Sequence, residues 1–178
     1  LCTAILVLFV VLTVSALAAE VLYRGTCGGE GNGSNLTWTL DDEGTLRIEG
    51  NGEMENYNWN GSLWYNYRSS IKSVVIGEGV TSIGKGAFYG CSNLTTVTIP
   101  ESVTSIGGSI FDGCSSIASI IVDVNNAKYS SDERGVLFDK EKTTLIKYPI
   151  GNMTTSYDIP LSVTSIGDSA FGGCSRLA

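Results

Sequence analysis

The stretch "VTSIGKGAFYGC" at positions 80–91 returns as "VTSIGGSIFDGC" at 103–114 and as "VTSIGDSAFGGC" at 163–174. The first two copies keep an offset of 23: Val80, Ile83, Phe88 and Cys91 fall on Val103, Ile106, Phe111 and Cys114, and Leu94, Val97 and Ile99 fall on Ile117, Ile120 and Val122. Ile71, Val74 and Ile76 stand the same 23 residues before Leu94, Val97 and Ile99, so the register is strict across two and a half units. Self-similarity at such a period is the signature of a solenoid. One unit alone buries too little apolar surface to offset the cost of ordering it, whereas stacked units bury the same side chains on both flanks and pair their strand edges.

Two local patterns alternate within each unit. "LTTVTIP" and "IASIIVD" place Val97 and Ile99, or Ile120 and Val122, on one side and send the intervening residues the other way, as a strand with one buried face requires. "IGKGAFYGC" has glycines at both ends of a segment too short for a stable α-helix but suited to a helical or 3₁₀ turn. Each unit therefore reads as strand, Pro or Gly turn, short "VTSI" strand and helical turn. Composition agrees, since 22 glycines against 3 prolines, with many Thr, Ser, Val and Ile, favour strands and tight turns.

Residues 1–19, "LCTAILVLFVVLTVSALAA", carry no charge and end in small residues, which reads as a secretory signal cleaved after Ala18 or Ala19. With no initiator Met and no basic start, the chain is expected to be a fragment whose true beginning lies upstream. Cys27, Cys91, Cys114 and Cys174 remain after the leader. The last three occupy one equivalent position per unit. Strands stack at about 4.8 Å, within disulfide reach, but units separated by helical turns stand nearer about 10 Å apart. A ladder of buried thiols and a Cys91–Cys114 bridge both stay open. No CxxC pair and no histidine occurs, which excludes Cys/His zinc sites and any triad with a His base built from this chain alone. The net charge of −7 disfavours nucleic acid and anionic membranes as partners.

The repeat breaks between Asp123 and Met153, and the strand half resumes with "TTSYDIP" at 154–160. The interruption, near 124–153, reads as a β-hairpin, "GVLF" and "TTLIKYP" around a "DKEK" turn, with Val136, Phe138, Leu145 and Tyr148 as its apolar residues. It is either a projecting recognition loop or a degenerate unit with a longer turn. Residues 20–70 belong to no repeat. "LTWTL" and "TLRIEG" flank "DDEG" as a hairpin, and Tyr57, Trp59, Trp64, Tyr65 and Tyr67 gather beyond it. This segment is expected to cap the first unit, with Trp64 filling the junction; the alternative is a sugar-stacking platform of Tyr57, Trp59 and Trp64.

The units "IPESVTSIGGSIFDGCSSIASIIV" and "IPLSVTSIGDSAFGGCSRL", the "GVLFDKEKTTLIKYP" interruption and the "LTWTLDDEGTLRIEGNGEM" lead-in resemble the BspA-like leucine-rich repeat proteins over roughly residues 27–178. The resemblance implies a β-rich leucine-rich repeat solenoid, with repeats of about 23 residues and short strands plus helical or 3₁₀ turns, carrying a β-hairpin-containing N-terminal cap. It implies a secreted or cell-surface protein whose partners are extracellular or cell-surface proteins, bound in adhesion, with membrane association only through an anchor outside this stretch. It supplies no catalytic residue. The chain stops inside a repeat at Ala178, so C-terminal truncation is expected.

No enzyme, metal or cofactor site is expected. Asp41 with Asp42, and Asp132 with Glu133, lie in predicted turns, and "CGGEGNG" at 27–33 lacks the P-loop lysine. The candidate contact face is the set of strand residues pointing away from the core: Ser73, Thr96, Ser119 and Ser156 in one row, and Val75, Thr98, Ile121 and Asp158 in the next. The rivals are a carbohydrate-binding module using glycan stacking on the aromatics, and the targeting region of a larger surface enzyme.

Overall fold

The computed structural model describes residues 19–178, so the leader assigned to 1–19 lies outside the described residues but for Ala19. The chain opens with three antiparallel strands, β1 (Val21–Thr26), β2 (Leu36–Asp41) and β3 (Thr45–Gly50), followed by the short β4 (Gly52–Glu53). Strict alternation drives this meander: Leu36, Trp38 and Leu40 on β2 and Leu46 and Ile48 on β3 are all buried, with polar residues between them. The β2–β3 turn is tied by Asp41, whose carboxylate accepts the Thr45 N–H at 2.8 Å. Gly44 supplies the left-handed conformation there, with φ +87°.

The repeat strands are β5 (Ser73–Ile76), β7 (Thr96–Ile99) and β9 (Ser119–Val122), alternating with β6 (Val80–Ile83) and β8 (Ser105–Ile106). They pair in parallel one unit apart: Val74 with Val97 and Ile120 in the first series, Ile83 with Ile106 in the second. Parallel pairing demands a return path between partners, and the turn segments supply it. The N-terminal meander joins the same sheet, because β3 pairs in parallel with β5 and sets Leu46 against Val74 and Ile48 against Ile76. The result is a six-stranded sheet in the order β1-β2-β3-β5-β7-β9, beside a three-stranded one, β4-β6-β8.

The "GKGAFYGC" segments form successive i→i+3 turns, such as Ala87 N–H to Gly84 O at 3.2 Å and Cys91 N–H to Phe88 O at 3.1 Å, without lengthening into helices. Among the described residues the one helical element is a 3₁₀ turn at Tyr65–Tyr67. The turns bring one aromatic ring per unit into the core, where Phe88 stacks on Phe111 with centroids 6.0 Å apart. Trp64 extends that ladder toward the N-terminus at 6.3 Å from Phe88, and its Nε1–H donates to Ala87 O at 2.8 Å. A buried indole with its donor satisfied fills the junction between the non-repeating segment and the first unit.

All four described cysteines are free thiols. Cys91 and Cys114 are buried, and the Cys114 Sγ donates to Phe88 O at 3.0 Å. Burial pushes the Cys114 thiol up to about 12, and raises Cys91 as well with the adjacent Cys114 adding to the effect.

The interruption contributes β10 (Tyr129–Ser131), β11 (Leu137–Asp139) and β12 (Thr144–Lys147), which form a four-stranded sheet with β13 (Ser165–Ile166). The β11–β12 hairpin does not project. Val136, Leu137, Phe138 and Leu145 are buried on both of its faces, and β12 pairs in parallel with β13. Val136, Phe138, Leu145 and Tyr148 form a second core cluster with Ala170, and Tyr148 takes the ring position of a unit by stacking on Phe171 at 5.6 Å.

Candidate functional site

Outward-facing residues of the six-stranded sheet fall into cross-strand rows, because the pairing stays in register from β9 across to β2 and on to β1 from Tyr23 onward, with one shift between Val21 and Tyr23. One row runs Arg24, Thr39, Arg47, Val75, Thr98 and Ile121. Beside it run Thr45, Ser73, Thr96 and Ser119. Val75 and Ile121 are 41% and 46% exposed, so the repeat half of the face, from β5 to the end strand β9, shows aliphatic side chains to solvent between hydroxyls, with two guanidinium groups at the meander end. The face is thus a mixed surface of hydroxyl, aliphatic and guanidinium groups. Arg24, Thr39 and Arg47 were not part of the expected face. Alternation within "LTWTL" and "TLRIEG" shows them pointing outward, but the parallel docking of β3 on β5 leaves no local trace.

Six of the eight expected face residues, Ser73, Val75, Thr96, Thr98, Ser119 and Ile121, lie on β5, β7 and β9 and are half-buried or exposed. Ser156 and Asp158 do not join them. Their segment is in no strand, and residues 131–135 come between it and β9: Ile120 N–H donates to Gly135 O at 3.0 Å, and Val122 N–H donates to the Ser131 hydroxyl at 3.1 Å. On the far side of this inserted loop, Arg134 Nη1 donates to Ser156 O at 3.2 Å, and the Tyr157 hydroxyl donates to Asp132 Oδ2 at 2.7 Å. The interruption thus takes the sheet position that Ser156 and Asp158 were expected to hold.

The aromatic platform is also corrected. Tyr57 and Trp64 are core residues, at 5% and 0% exposure, with ring centroids 5.6 Å apart, and the Tyr57 hydroxyl donates to Cys27 O. Trp59 is 70% exposed and stacks on Tyr89, 6.4 Å away at 19°. Burial of Tyr57 and Trp64 follows from their place at the junction with the first unit, where apolar area is removed from water on both flanks.

Burial, reinforced by Glu55, pushes the Cys27 thiol up to about 12, which keeps it protonated and unreactive at neutral pH. Among the described residues no group of three His, Cys, Asp or Glu side chains could hold a metal ion, and no helix is long and apolar enough to cross a membrane.

Residues 61–142 and 150–178 match the BspA type leucine-rich repeat region, in 6 copies. No curated protein matches the chain. Among solved structures, a leucine-rich repeat protein from Eubacterium ventriosum is 24% identical, with 87% of this chain and 59% of that one covered and a TM-score of 0.42. The pneumococcal vaccine antigen PcpA is 16% identical, with 86% and 64% covered and a TM-score of 0.45. A leucine-rich cell surface protein from Faecalibacterium prausnitzii is 17% identical, with 90% and 70% covered and a TM-score of 0.40. The chain therefore spans less than two thirds of the first two of these structures.

Proposed function

This chain belongs to the BspA-type leucine-rich repeat family, and from that premise we propose that it is a non-catalytic interaction module, secreted or displayed at a cell surface, that binds extracellular or cell-surface proteins in adhesion. Its repeats act as a short solenoid and residues 20–70 as the cap that covers the first unit. The observation that carries the reading is the outward row Arg24–Thr39–Arg47–Val75–Thr98–Ile121, which offers a continuous six-strand surface with exposed aliphatic side chains on its repeat half. Extended faces of this kind bind through area and complementarity, and exposed aliphatic groups supply the desolvation energy.

The test is the double substitution Thr98→Lys and Ile121→Lys, assayed for attachment to immobilised extracellular-matrix proteins and to epithelial cells. Both side chains point away from the core, so the circular dichroism melt should be unchanged while attachment is lost. Retained attachment by a folded double variant would sink the proposal. A glycan-binding reading is favoured by one observation, the exposed Trp59 ring stacked on Tyr89. A glycan array comparing the chain with its Trp59→Ala variant tests it, and an array with no Trp59-dependent signal removes it.

A further inference from the structure

Each turn segment is tied to the next by a row of main-chain bonds: Gly86 N–H to Gly108 O at 3.1 Å, Phe88 N–H to Ile110 O at 3.2 Å and Gly90 N–H to Asp112 O at 2.8 Å. One unit later the equivalent donors are Ser109, Phe111 and Gly113. They hold the same backbone, since Ser109 has φ +57° where Gly86 has +64°, and Gly113 has +77° where Gly90 has +72°. Yet none of these three N–H groups has a protein acceptor among the described residues. The cause is the interruption. The turn at 167–172 is held away from the turn at 107–112 by Lys147, whose Nζ donates to Ser169 O at 2.9 Å and reaches Asp112 Oδ1 at 3.4 Å. Main-chain bonding resumes beyond it, at Tyr148 N–H to Ala170 O, 2.8 Å.

The gap is a cleft of about 190 Å³ with an apolar floor of Ile106, Ile110, Phe111, Leu137 and Ile146. Asp112 and Asp168 line its mouth. Lys147 is buried beside the cleft and pairs with Asp112, so Asp168 is the carboxylate that the cleft shows to solvent without a cationic partner among the described residues. Through Ser109 and Asp112 the cleft adjoins a hollow of about 220 Å³ beneath Trp59 and Tyr89.

We propose that this cleft docks an extended peptide segment of a partner protein, one that carries an apolar anchor beside a basic residue. The row of unpaired donors matches a row of acceptors, which main-chain carbonyls supply; Ser109 and Gly113 are exposed and can meet water, so the cost of a missing partner falls on the N–H of buried Phe111. Phe111 is itself buried, so the cleft is the side from which an acceptor reaches its N–H. A dry cavity of about 150 Å³ holds a benzene ring, so this cleft takes one Phe or Leu side chain. The Asp168 carboxylate then selects a cationic neighbour on the incoming segment. This site is separate from the Arg24–Ile121 row and independent of what that row binds.

The experiment titrates the isotopically labelled chain with the blocked tetrapeptide acetyl-Ser-Phe-Arg-Ser-amide and follows backbone amide resonances. The Ser109 and Phe111 amides should shift saturably, and replacing the peptide's Arg by Asp should weaken binding by about tenfold or more. Gly108→Leu should abolish the shifts. A Cβ at Gly108 meets nothing within 4 Å and its backbone is not left-handed, so the new side chain fills the cleft without straining the fold. Thr98→Lys with Ile121→Lys should leave the shifts intact. Three results would each overturn the assignment: no shift at Ser109 and Phe111 at millimolar peptide; equal affinity for the Arg and Asp peptides; or shifts at these amides that grow with protein concentration in the absence of peptide, which would make the occupant a second copy of the chain. The charge comparison uses the unaltered chain, so it decides the matter even if the leucine variant unfolds.

Discussion

Ile120 donates its N–H to the carbonyl of Gly135, and that 3.0 Å bond marks where the repeating sheet stops. Gly135 holds φ +74°, and a Cβ there would lie 2.6 Å from the Ser119 Cα. The inserted loop can lie against β9 only because residue 135 has no side chain. Gly135→Ala should therefore cost about 2 to 4 kcal/mol, from a left-handed alanine and from steric contact with main chain that cannot yield. Urea denaturation should show the midpoint falling with little change in slope; a variant as stable as the parent would mean that β9 and the loop separate freely.

The contrast between Gly135 and the strands shows what the sequence made legible. The pairing of Val74 with Val97 and Ile120 could be read from spacing alone, because identical apolar patterns one period apart have a single register that buries them all. Placing Ser156 on that sheet was the natural extension and it fails, since a loop that pairs through isolated bonds, Ile120 to Gly135 and Val122 to the Ser131 hydroxyl, has no periodic signal. Trp59 and Trp64 have similar neighbours in the chain, yet one is exposed and the other buried. Contacts distant in sequence distinguish them: Trp64 meets Trp38, Phe88 and the Ala87 carbonyl, whereas Trp59 rests on Tyr89 at the surface. The cleft beside Lys147 was illegible for the same reason, as it arises from a bonding row that lapses.

Alkaline pH should unfold the chain through its thiols. Cys27 and Cys114 are pushed from an ordinary 9.0 up to about 12, mainly by burial, and Cys91 is raised for the same cause. A raised folded value means that the native state keeps its protons where the unfolded chain has lost them. Their contribution is therefore complete below pH 9.0 and is lost as pH climbs toward 12. Each such thiol adds a slope of about 1.4 kcal/mol per pH unit in that window. Urea midpoints measured between pH 8 and 11 should fall steeply above 9, and less steeply in Cys91→Ala with Cys114→Ala; identical slopes would refute the linkage.

Lys142 should be replaceable to advantage. It closes the β11–β12 turn with φ +54°, the role that Gly44 plays at φ +87° in the β2–β3 turn. Both turns are tied by an aspartate that accepts the amide four residues on, Asp41 from Thr45 and Asp139 from Thr143. Since the left-handed conformation costs a residue with a Cβ about 1 to 2 kcal/mol, Lys142→Gly should stabilise by roughly 0.5 to 1 kcal/mol once the added freedom of the unfolded chain is subtracted. A thermal melt reads the gain, and a lower melting temperature would show that the Lys142 ammonium over the Phe138 ring, 5.8 Å away, outweighs the backbone term.

Asn126 should be the most sensitive polar residue in the chain. It is fully buried where the chain leaves the repeat, and its amide makes four bonds: Nδ2 donates to Pro100 O at 2.7 Å and Val103 O at 2.9 Å, while Oδ1 accepts from Lys128 N–H at 2.9 Å and Tyr129 N–H at 2.8 Å. It thus clamps the start of the interruption onto the turn of the preceding unit. Asn126→Ala removes all four bonds, leaving the Pro100 carbonyl only the long 3.4 Å bond from Val103 N–H, and should cost about 2 to 4 kcal/mol. Asn126→Asp keeps the shape and the two accepted bonds, but sets a carboxylate against the Pro100 and Val103 carbonyls in a buried site, and should cost at least as much at neutral pH. Partial recovery of the aspartate variant below pH 5, where protonation restores one donor, would identify the lost bonds to Pro100 and Val103 as the cause. Hydrogen exchange at the Lys128 and Tyr129 amides should quicken in the alanine variant and stay slow in the aspartate variant at low pH. Unchanged exchange in the alanine variant would mean that the clamp is not what holds the interruption in place.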